Sequence, residues 1–510
     1  MRKKLNKLMG VLLTTILLIG IVGCGSENGK VSKEDYNGRV FYEIFVRAFN
    51  DSNGDGIGDI NGVTEKLDYL QDLGIGGIWL MPINSSPSYH GYDVIDYKEI
   101  NKEYGTMDDF KNLLEEAHKR DIKIYIDMVI NHSSSENMWF KEASEGKENR
   151  YRDYYIWTDD KKEASMMSPM GTMPWAKVNK NDDEFYYGIF WSGMPDLNLD
   201  NEKVKTELKD IAKFYIDMGV DGFRMDAVKW FHNEAEENNR FIEEYSEYCK
   251  SLNEDFKLVG EVWDSAFSMA QYQNSLDSFF DFSLGEKITK GLLGENIEKL
   301  PESIKYNYEL YTEENPEFIV APFLSNHDQN RIMNTLGSSE KKMKMAASIY
   351  LTLPGTPYIY YGEEVGMKGI KPDEDIREPF IWDNKDLSKN TKWRKSTNDL
   401  DKIALNAQKE DEDSLYNFYK EIINVRNNNS SLQFGDIEKI ESGKSEIMIM
   451  KRSYEKETSY VIINSKDKDT EVKLEKGKYK VLFSSERDED EIKVKEEINL
   501  KGGEIIILKK

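Results

Sequence analysis

The sequence predicts an α/β fold: a parallel sheet of eight strands alternating with helices, carrying an inserted domain and a C-terminal antiparallel β-domain. Three observations predict it. Eight short apolar runs follow one another after residue 36: "RVFYEIFVRAF", "GGIWLMP", "KIYIDMVI", "GFRMDAV", "KLVGEVW", "SFFDFS", "FIVAPFLSN" and "YIYYGEE". Helix-period stretches such as "TMDDFKNLLEEAHKR" and "VKTELKDIAKFYIDMG" lie between them, and that alternation implies parallel strands. After about residue 434 the helices stop, and "EIMIMKRSY", "SYVIINS", "YKVLFSS" and "EIIILKK" read as strands joined directly. Eight parallel strands suggest a closed (β/α)8 TIM barrel with its chemistry at the C-terminal strand ends. An open doubly wound sheet is the alternative that alternation alone leaves.

In order, the chain starts with "MRKKLNKLMGVLLTTILLIGIVGC", a basic stretch, an apolar run, then small residues before Cys24. That is the pattern of an export signal. Ile21-Val22-Gly23-Cys24 resembles a lipoprotein signal-peptidase site, which implies removal of residues 1–23 and a lipid on Cys24. The body is therefore expected on the extracellular side of a bacterial cell membrane, held there by that lipid alone. Residues 24–35 read as a flexible tether. Cys249 is the one other cysteine, so a disulfide framework is excluded.

With 510 residues, 39% hydrophobic and 12% aromatic, the rest is long enough for more than one core. A formal charge of −25 argues against nucleic acid and against docking on anionic lipid. The barrel is assigned to residues 36–132 and 197–433, and the C-terminal domain to 434–510. Between "KIYIDMVINH" and "GFRMDAV" the connection is far longer than a βα unit needs. It contains Trp139, Trp157, Trp175 and Trp191 and reads as a small inserted domain over 133–196. A tryptophan there could be a sugar platform, although core packing is the more ordinary role of any one.

The first βα loop is "DSNGDGIGD". Asp51, Asn53, Asp55 and Asp59 supply oxygens at the first, third, fifth and ninth positions of a Ca2+ loop, Ile57 offers its backbone carbonyl, and Gly56 makes the turn. Gly62 stands where an EF-hand needs its closing glutamate, so the reading is an EF-like structural Ca2+ loop, with a metal-free Asx-rich turn as the alternative.

Polar residues appear where the apolar runs stop. Strand 3 ends in Asp127, Asn131 and His132, strand 4 carries Arg224 and Asp226, strand 5 ends in Glu261, and strand 7 ends in Asn326, His327 and Asp328. One such residue would be read as a helix cap or an ion-pair partner. Several strand ends with the same content point to one site at the barrel mouth. Asp226 lies two residues after Arg224, on the same strand face, where a fixed cation keeps it ionised. Glu261 is followed by Val262 and Trp263, apolar neighbours that would raise its pKa. A pair of carboxyls in different protonation states is what retaining glycoside cleavage requires.

These segments resemble the α-amylase superfamily of glycoside hydrolases. "DMVINH", "GFRMDAVKW", "GEVW" and "SNHDQNR" are similar to its four main signatures, "MPDLNLD" to its fifth, and "GGIWLMP" and "GTPYIYYGEEVGM" to the flanking strand 2 and strand 8 signatures. The resemblance implies a nucleophile at Asp226, an acid/base at Glu261 and a sugar-holding carboxylate at Asp328. It also implies substrate contacts from Tyr92, His132, Arg224, Lys229 and His327, a structural Ca2+, and an α-glucan substrate. A second family Ca2+ site is matched at Asn131 but not at Trp230, where many members have histidine. Ala227 after the nucleophile favours α-1,4 cleavage over α-1,6. Tyr89, where exo-acting members commonly have aspartate, favours an open cleft. The "MPDLN" form is similar to a subgroup between oligo-1,6-glucosidases and neopullulanases. The expected activity is internal cleavage of α-1,4 bonds in starch and maltooligosaccharides with retention, by a monomer. A 4-α-glucanotransferase or an exo-acting α-glucosidase is the alternative. A catalytically dead binding protein would lack the three carboxyls.

Overall fold

The computed structural model describes residues 36–294 and 296–510; the proposed signal segment, Cys24 and the tether lie outside them. The eight apolar runs form β1 (Phe41–Ile44), β2 (Gly77–Leu80), β3 (Lys123–Met128), β4 (Gly222–Met225), β5 (Lys257–Gly260), β6 (Ser278–Phe280), β7 (Ile319–Ala321) and β8 (Tyr358–Tyr360). β1 to β7 pair in parallel, each with the next, and β1 also pairs with β8. Between β7 and β8 the ladder is reduced to two bonds, Thr356 N–H to the Val320 carbonyl at 3.0 Å and Tyr358 N–H to the Pro322 carbonyl at 2.9 Å. The sheet is thus a nearly closed barrel.

The period-2 alternation of a strand decides what fills it. Phe41, Trp79, Tyr125, Val259, Phe280 and Tyr358 point inward and form an aromatic plug. Their neighbours Tyr42, Ile78, Ile124, Leu258, Phe279 and Ile359 point outward under the helices. Gly77 and Gly222 make room for the plug: a Cβ there would lie 2.2 Å from the Phe41 ring and 2.5 Å from the Tyr125 ring. One step above the plug, the same inward positions are Glu43, Asp127 and Arg224, the last two in register with each other. Polar groups at the mouth therefore follow from the alternation that packs the interior.

Helices such as Met107–Lys119, Glu202–Met218 and Ala235–Leu252 cover the barrel. Thr106 and Asp109 cap the first of these reciprocally, satisfying backbone donors that helix starts leave open. The long connection after β3 leaves at His132 and returns at Asp196, where the two residues bridge. Within it Trp157–Thr158, Phe185–Tyr187 and Trp175–Ala176 form a three-stranded sheet. Trp157 stacks on Phe140 and Trp139 on Tyr97, so both serve packing.

The C-terminal part contains β9 (Asp436–Lys439), β10 (Ile447–Tyr454), β11 (Glu457–Asn464), β12 (Thr470–Lys473), β13 (Gly477–Ser484), β14 (Glu491–Val494), β15 (Glu497–Leu500) and β16 (Ile505–Lys509). Six form one antiparallel sheet in the order β9-β10-β11-β16-β13-β14, and β12 pairs with β15. Ile447, Ile449, Ile462 and Ile506 pack with Val472, Ile498 and Leu500 of the smaller sheet. On the opposite face Met448, Met450, Val461, Ile463 and Ile507 join the barrel's outer core.

Candidate active site

Arg224 organises the barrel mouth. It is 1% exposed. Its Nη1 donates to Asp127 Oδ1 at 2.8 Å and to Asp226 Oδ1 at 2.5 Å, and its Nη2 lies 3.1 Å from Glu261 Oε2. One guanidinium thus holds carboxyls from the ends of β3, β4 and β5. The Ala227 N–H donates to the same Glu261 oxygen at 2.9 Å. Ala227 adopts φ 53°, a left-handed conformation immediately after Asp226.

A second charge network faces the first. His327, fully buried, donates from Nδ1 to Glu43 Oε1 at 2.6 Å, and its Nε2 lies 3.0 Å from Asp328 Oδ2. Arg377 donates to Asp328 Oδ1 at 2.9 Å and to the His327 carbonyl at 2.9 Å. Tyr92 joins the networks. Its ring stacks on His327 with centroids 5.5 Å apart, its hydroxyl donates to Asp127 Oδ2 at 3.1 Å, and the hydroxyl oxygen lies 2.6 Å from His327 Nε2.

These surroundings separate the three carboxyls by protonation state. Burial pushes Asp226 up to about 6 against the pull of Arg224. Burial pushes Glu261 further, to about 7, again against Arg224 and helped by the charges of Asp226 and Asp328. Burial acts on Asp328 in the same sense, but His327 and Arg377 outweigh it and hold that carboxyl well below its ordinary range. His327 is the mirror case: burial would lower it, yet Asp328 and Glu43 raise it to about 9, so it is an imidazolium at neutral pH. Burial lowers His132 to about 4, outweighing the Tyr92 carbonyl and the Asp93 charge that pull it up. It is neutral, with Nε2 3.0 Å from the Tyr92 carbonyl.

A cavity of about 460 Å³ opens over these groups and is lined by Tyr92, His132, Asp226, Glu261, Asp328 and Arg377, among others. Lys229 also lines it and pairs with Asp264 at 2.6 Å. His327 lies behind Tyr92 and Asp328. The chemistry available is that of an ionised carboxylate beside a protonated carboxyl, with a third, permanently ionised carboxylate opposite, which suits substitution at an acetal carbon. The family described as "Alpha amylase, catalytic domain" matches residues 43–435.

The chain belongs to the α-amylase family. It is 45% identical to Alpha-amylase 3 of Dictyoglomus thermophilum over 432 residues, covering 84% of this chain and 85% of that protein. It is 35% identical to a 4-alpha-glucanotransferase of Thermotoga maritima, covering 74% and 84%. The crystal structure of an alpha-amylase from H.orenii superposes with a TM-score of 0.87 at 40% identity, covering 94% of this chain and all of that one (100%). The protein is thus an α-amylase-family glycoside hydrolase.

In this α-amylase-family enzyme the first βα loop closes on itself. Asp51, buried, accepts from the amides of Gly54 at 2.7 Å and Gly56 at 2.8 Å. Asn53 accepts from the Asp55 amide and Asp55 from the Ile57 amide, each at 2.8 Å. Asp59 accepts from Ser52 N–H at 2.9 Å and from Gly62 N–H at 2.7 Å, capping the helix Ile60–Glu65. The Asn53 and Asp55 contacts are Asx turns. Among the described residues no three His, Cys, Asp or Glu side chains gather as a metal cluster. The sequence reading placed the loop's oxygens around a cation; the structure turns most of them onto the loop's own amides. The donor set still fits Ca2+ in kind, because a carboxylate oxygen that accepts one amide keeps a second lone pair.

Sequence reasoning left Glu43 and Arg377 unassigned. Glu43 carried a signal, a carboxylate in an apolar strand at an inward position. Arg377 lies in irregular chain after β8 and carried none. Tyr89 stacks on Trp393, with centroids 5.4 Å apart.

Proposed function

We propose that this enzyme hydrolyses internal α-1,4-glucosidic bonds of starch and maltooligosaccharides by double displacement with retention. Asp226 attacks the anomeric carbon. Glu261 protonates the departing oxygen and then deprotonates the water that releases the sugar. Asp328, ionised at every working pH, holds sugar hydroxyls in the donor position. The observation that carries this reading is the sharing of Arg224 by Asp226 and Glu261. It keeps the two carboxyls close, as a nucleophile and its acid must be in a retaining enzyme, while burial keeps Glu261 the more basic. Tyr92, His132, Lys229, His327 and Arg224 are assigned to binding the substrate or positioning the three carboxyls. Tyr89, standing where exo-acting members commonly have aspartate, supports an open cleft and attack within chains.

The test is the product stereochemistry and size from maltoheptaose. Proton NMR during the first turnovers should give α-anomers, and amylose should lose iodine staining early. A β-anomer first, or glucose alone from chain ends, refutes the reading. Transfer to sugar instead of water is the second reading, favoured by the likeness to a 4-alpha-glucanotransferase; products longer than maltoheptaose would establish it.

The "DSNGDGIGD" loop is further proposed to bind one structural Ca2+ through Asp51, Asn53, Asp55, Asp59 and the Ile57 carbonyl. Bound, the ion would neutralise the loop's clustered carboxylates and tie β1 to the helix that follows. Export and a lipid on Cys24, placing a monomeric body at the extracellular face of the membrane, complete the proposal. Radiolabelled fatty acid retained by wild type and lost in Cys24→Ala tests the anchor.

A further inference from the structure

Residues 166–173, "MMSPMGTM", carry four methionines in the inserted domain. Met166, Met167, Met170 and Met173 are 60%, 66%, 41% and 61% exposed. Large apolar side chains at this density on a surface mark a binding face more often than chance. The backbone beneath them is tied down. The Ser168 and Thr172 hydroxyls are 2.7 Å apart, Ser168 N–H donates to the Thr172 carbonyl at 2.9 Å, and Thr172 Oγ1 donates to the Ile189 carbonyl at 2.9 Å. The loop is built, and it presents its methionines outward.

What they face narrows the ligand. Met170 lines the cavity that holds Asp226, Glu261 and Asp328. Met166 and Met167 line a neighbouring cavity of about 630 Å³, and the two cavities share Lys229 and Trp230. The second cavity is also lined by Asp264, Ser268 and Gln271, from the chain that follows Glu261. A general acid stands on the side of the leaving group. The space past Glu261 and Lys229 therefore receives the part of the substrate that departs, and the methionine loop forms one part of its wall.

We propose that residues 166–170 grip the acceptor side of the α-glucan, the sugars on the reducing side of the bond to be cut; this rests on the reading of Asp226 and Glu261 given above. The contact is dispersive. A thioether is polarisable, flexible and a poor hydrogen-bond partner, so it follows the CH face of a pyranose without demanding one hydroxyl pattern. The wall holds acceptor sugars of differing linkage and orientation, and makes chain length beyond the cleaved bond count toward turnover.

The test uses two substrates that differ on that side. Maltoheptaose fills it; α-maltosyl fluoride, whose leaving group is fluoride, does not. The variant is Met166→Gln/Met167→Gln, the two methionines outside the cavity of the three carboxyls, alongside the same two positions as leucine, with melting temperatures measured for both. Turnover of both substrates by wild type establishes the underlying activity independently. The glutamine variant is expected to lose about tenfold in kcat/KM on maltoheptaose, the order expected of lost apolar contacts, and to keep wild-type turnover of α-maltosyl fluoride. The leucine variant should keep both. An equal fall on both substrates would make the loop a support of the catalytic groups and overturn the proposal. So would no fall on either, or a leucine variant as impaired as the glutamine one.

Discussion

The raised carboxyls at the barrel mouth make the pH profile of kcat/KM the most discriminating measurement, and Glu261→Gln the informative perturbation. The active form has Asp226 ionised and Glu261 protonated. With the two titrating near 6 and 7, that form is about 60% populated at pH 6.5 and about 10% at pH 5 or pH 8, a roughly sixfold fall on each side. Wild type should therefore trace a narrow bell. Glutamine is nearly isosteric and keeps an acceptor oxygen for the Ala227 N–H, but it neither gives up nor takes a proton. The alkaline limb should vanish in this variant while the acid limb near 6 remains, with maltoheptaose turnover lowered by about 10²–10⁴-fold. Because fluoride needs little protonation to leave, the loss on α-maltosyl fluoride should be much smaller at the first displacement. Initial rates across pH 4–9, with reducing-sugar and fluoride-electrode readouts, suffice. An alkaline limb that persists in Glu261→Gln would refute the assignment, since another group would then be the acid.

Asp226→Asn should cut kcat by more than about 10³-fold with an unchanged melting temperature, the signature of a lost nucleophile; near-normal turnover would end the mechanism. Ala227→Val should lower the melting temperature as well as alter linkage preference. The left-handed region already costs an L-residue such as alanine about 1–2 kcal/mol and β-branching adds to that strain, while added bulk shifts the α-1,4 to α-1,6 ratio by about 1–3 kcal/mol at most; an unchanged melting temperature would contradict the backbone argument. Chelation should lower the wild-type melting temperature, and Asp55→Ala should start at the lowered value and respond no further, because an ion that binds only the folded chain stabilises by mass action; no response, with no metal by elemental analysis, leaves an Asx-turn loop.

The barrel was legible because its strands are short apolar runs with inward and outward positions in strict alternation, and the site because polar residues begin where those runs end. Asp127, Arg224, Asp226, Glu261 and Asp328 each sit at such a stop. What the sequence could not convey is how charges pair across the barrel. Arg377 meets Asp328 only because irregular chain folds back over the mouth, a contact without local pattern. The "DSNGDGIGD" spacing was readable, but whether its carboxylates turn toward a cation or toward their own amides is a conformational choice that spacing leaves open. The left-handed backbone of Ala227 was equally hidden, since alanine has no preference for it. The reading that a fixed cation lets Asp226 stay ionised needs adjustment: burial outweighs the cation, and of the three carboxyls only Asp328, with His327 and Arg377 beside it, is held low.

The six-stranded C-terminal sheet has two apolar faces, and one belongs to the barrel. Met448, Met450 and Val461 share a continuous core with the barrel's outer layer, and buried Arg452 donates across the junction to the Thr352 carbonyl. The change in sequence texture near residue 434 is therefore no cleavage plane in energy. A chain cut there would leave apolar surface and the orphaned Thr352 carbonyl on the catalytic part. Heat should instead melt barrel and sheet in one calorimetric transition, and the slowest amide exchange should extend through β10 and β11 as well as the barrel strands.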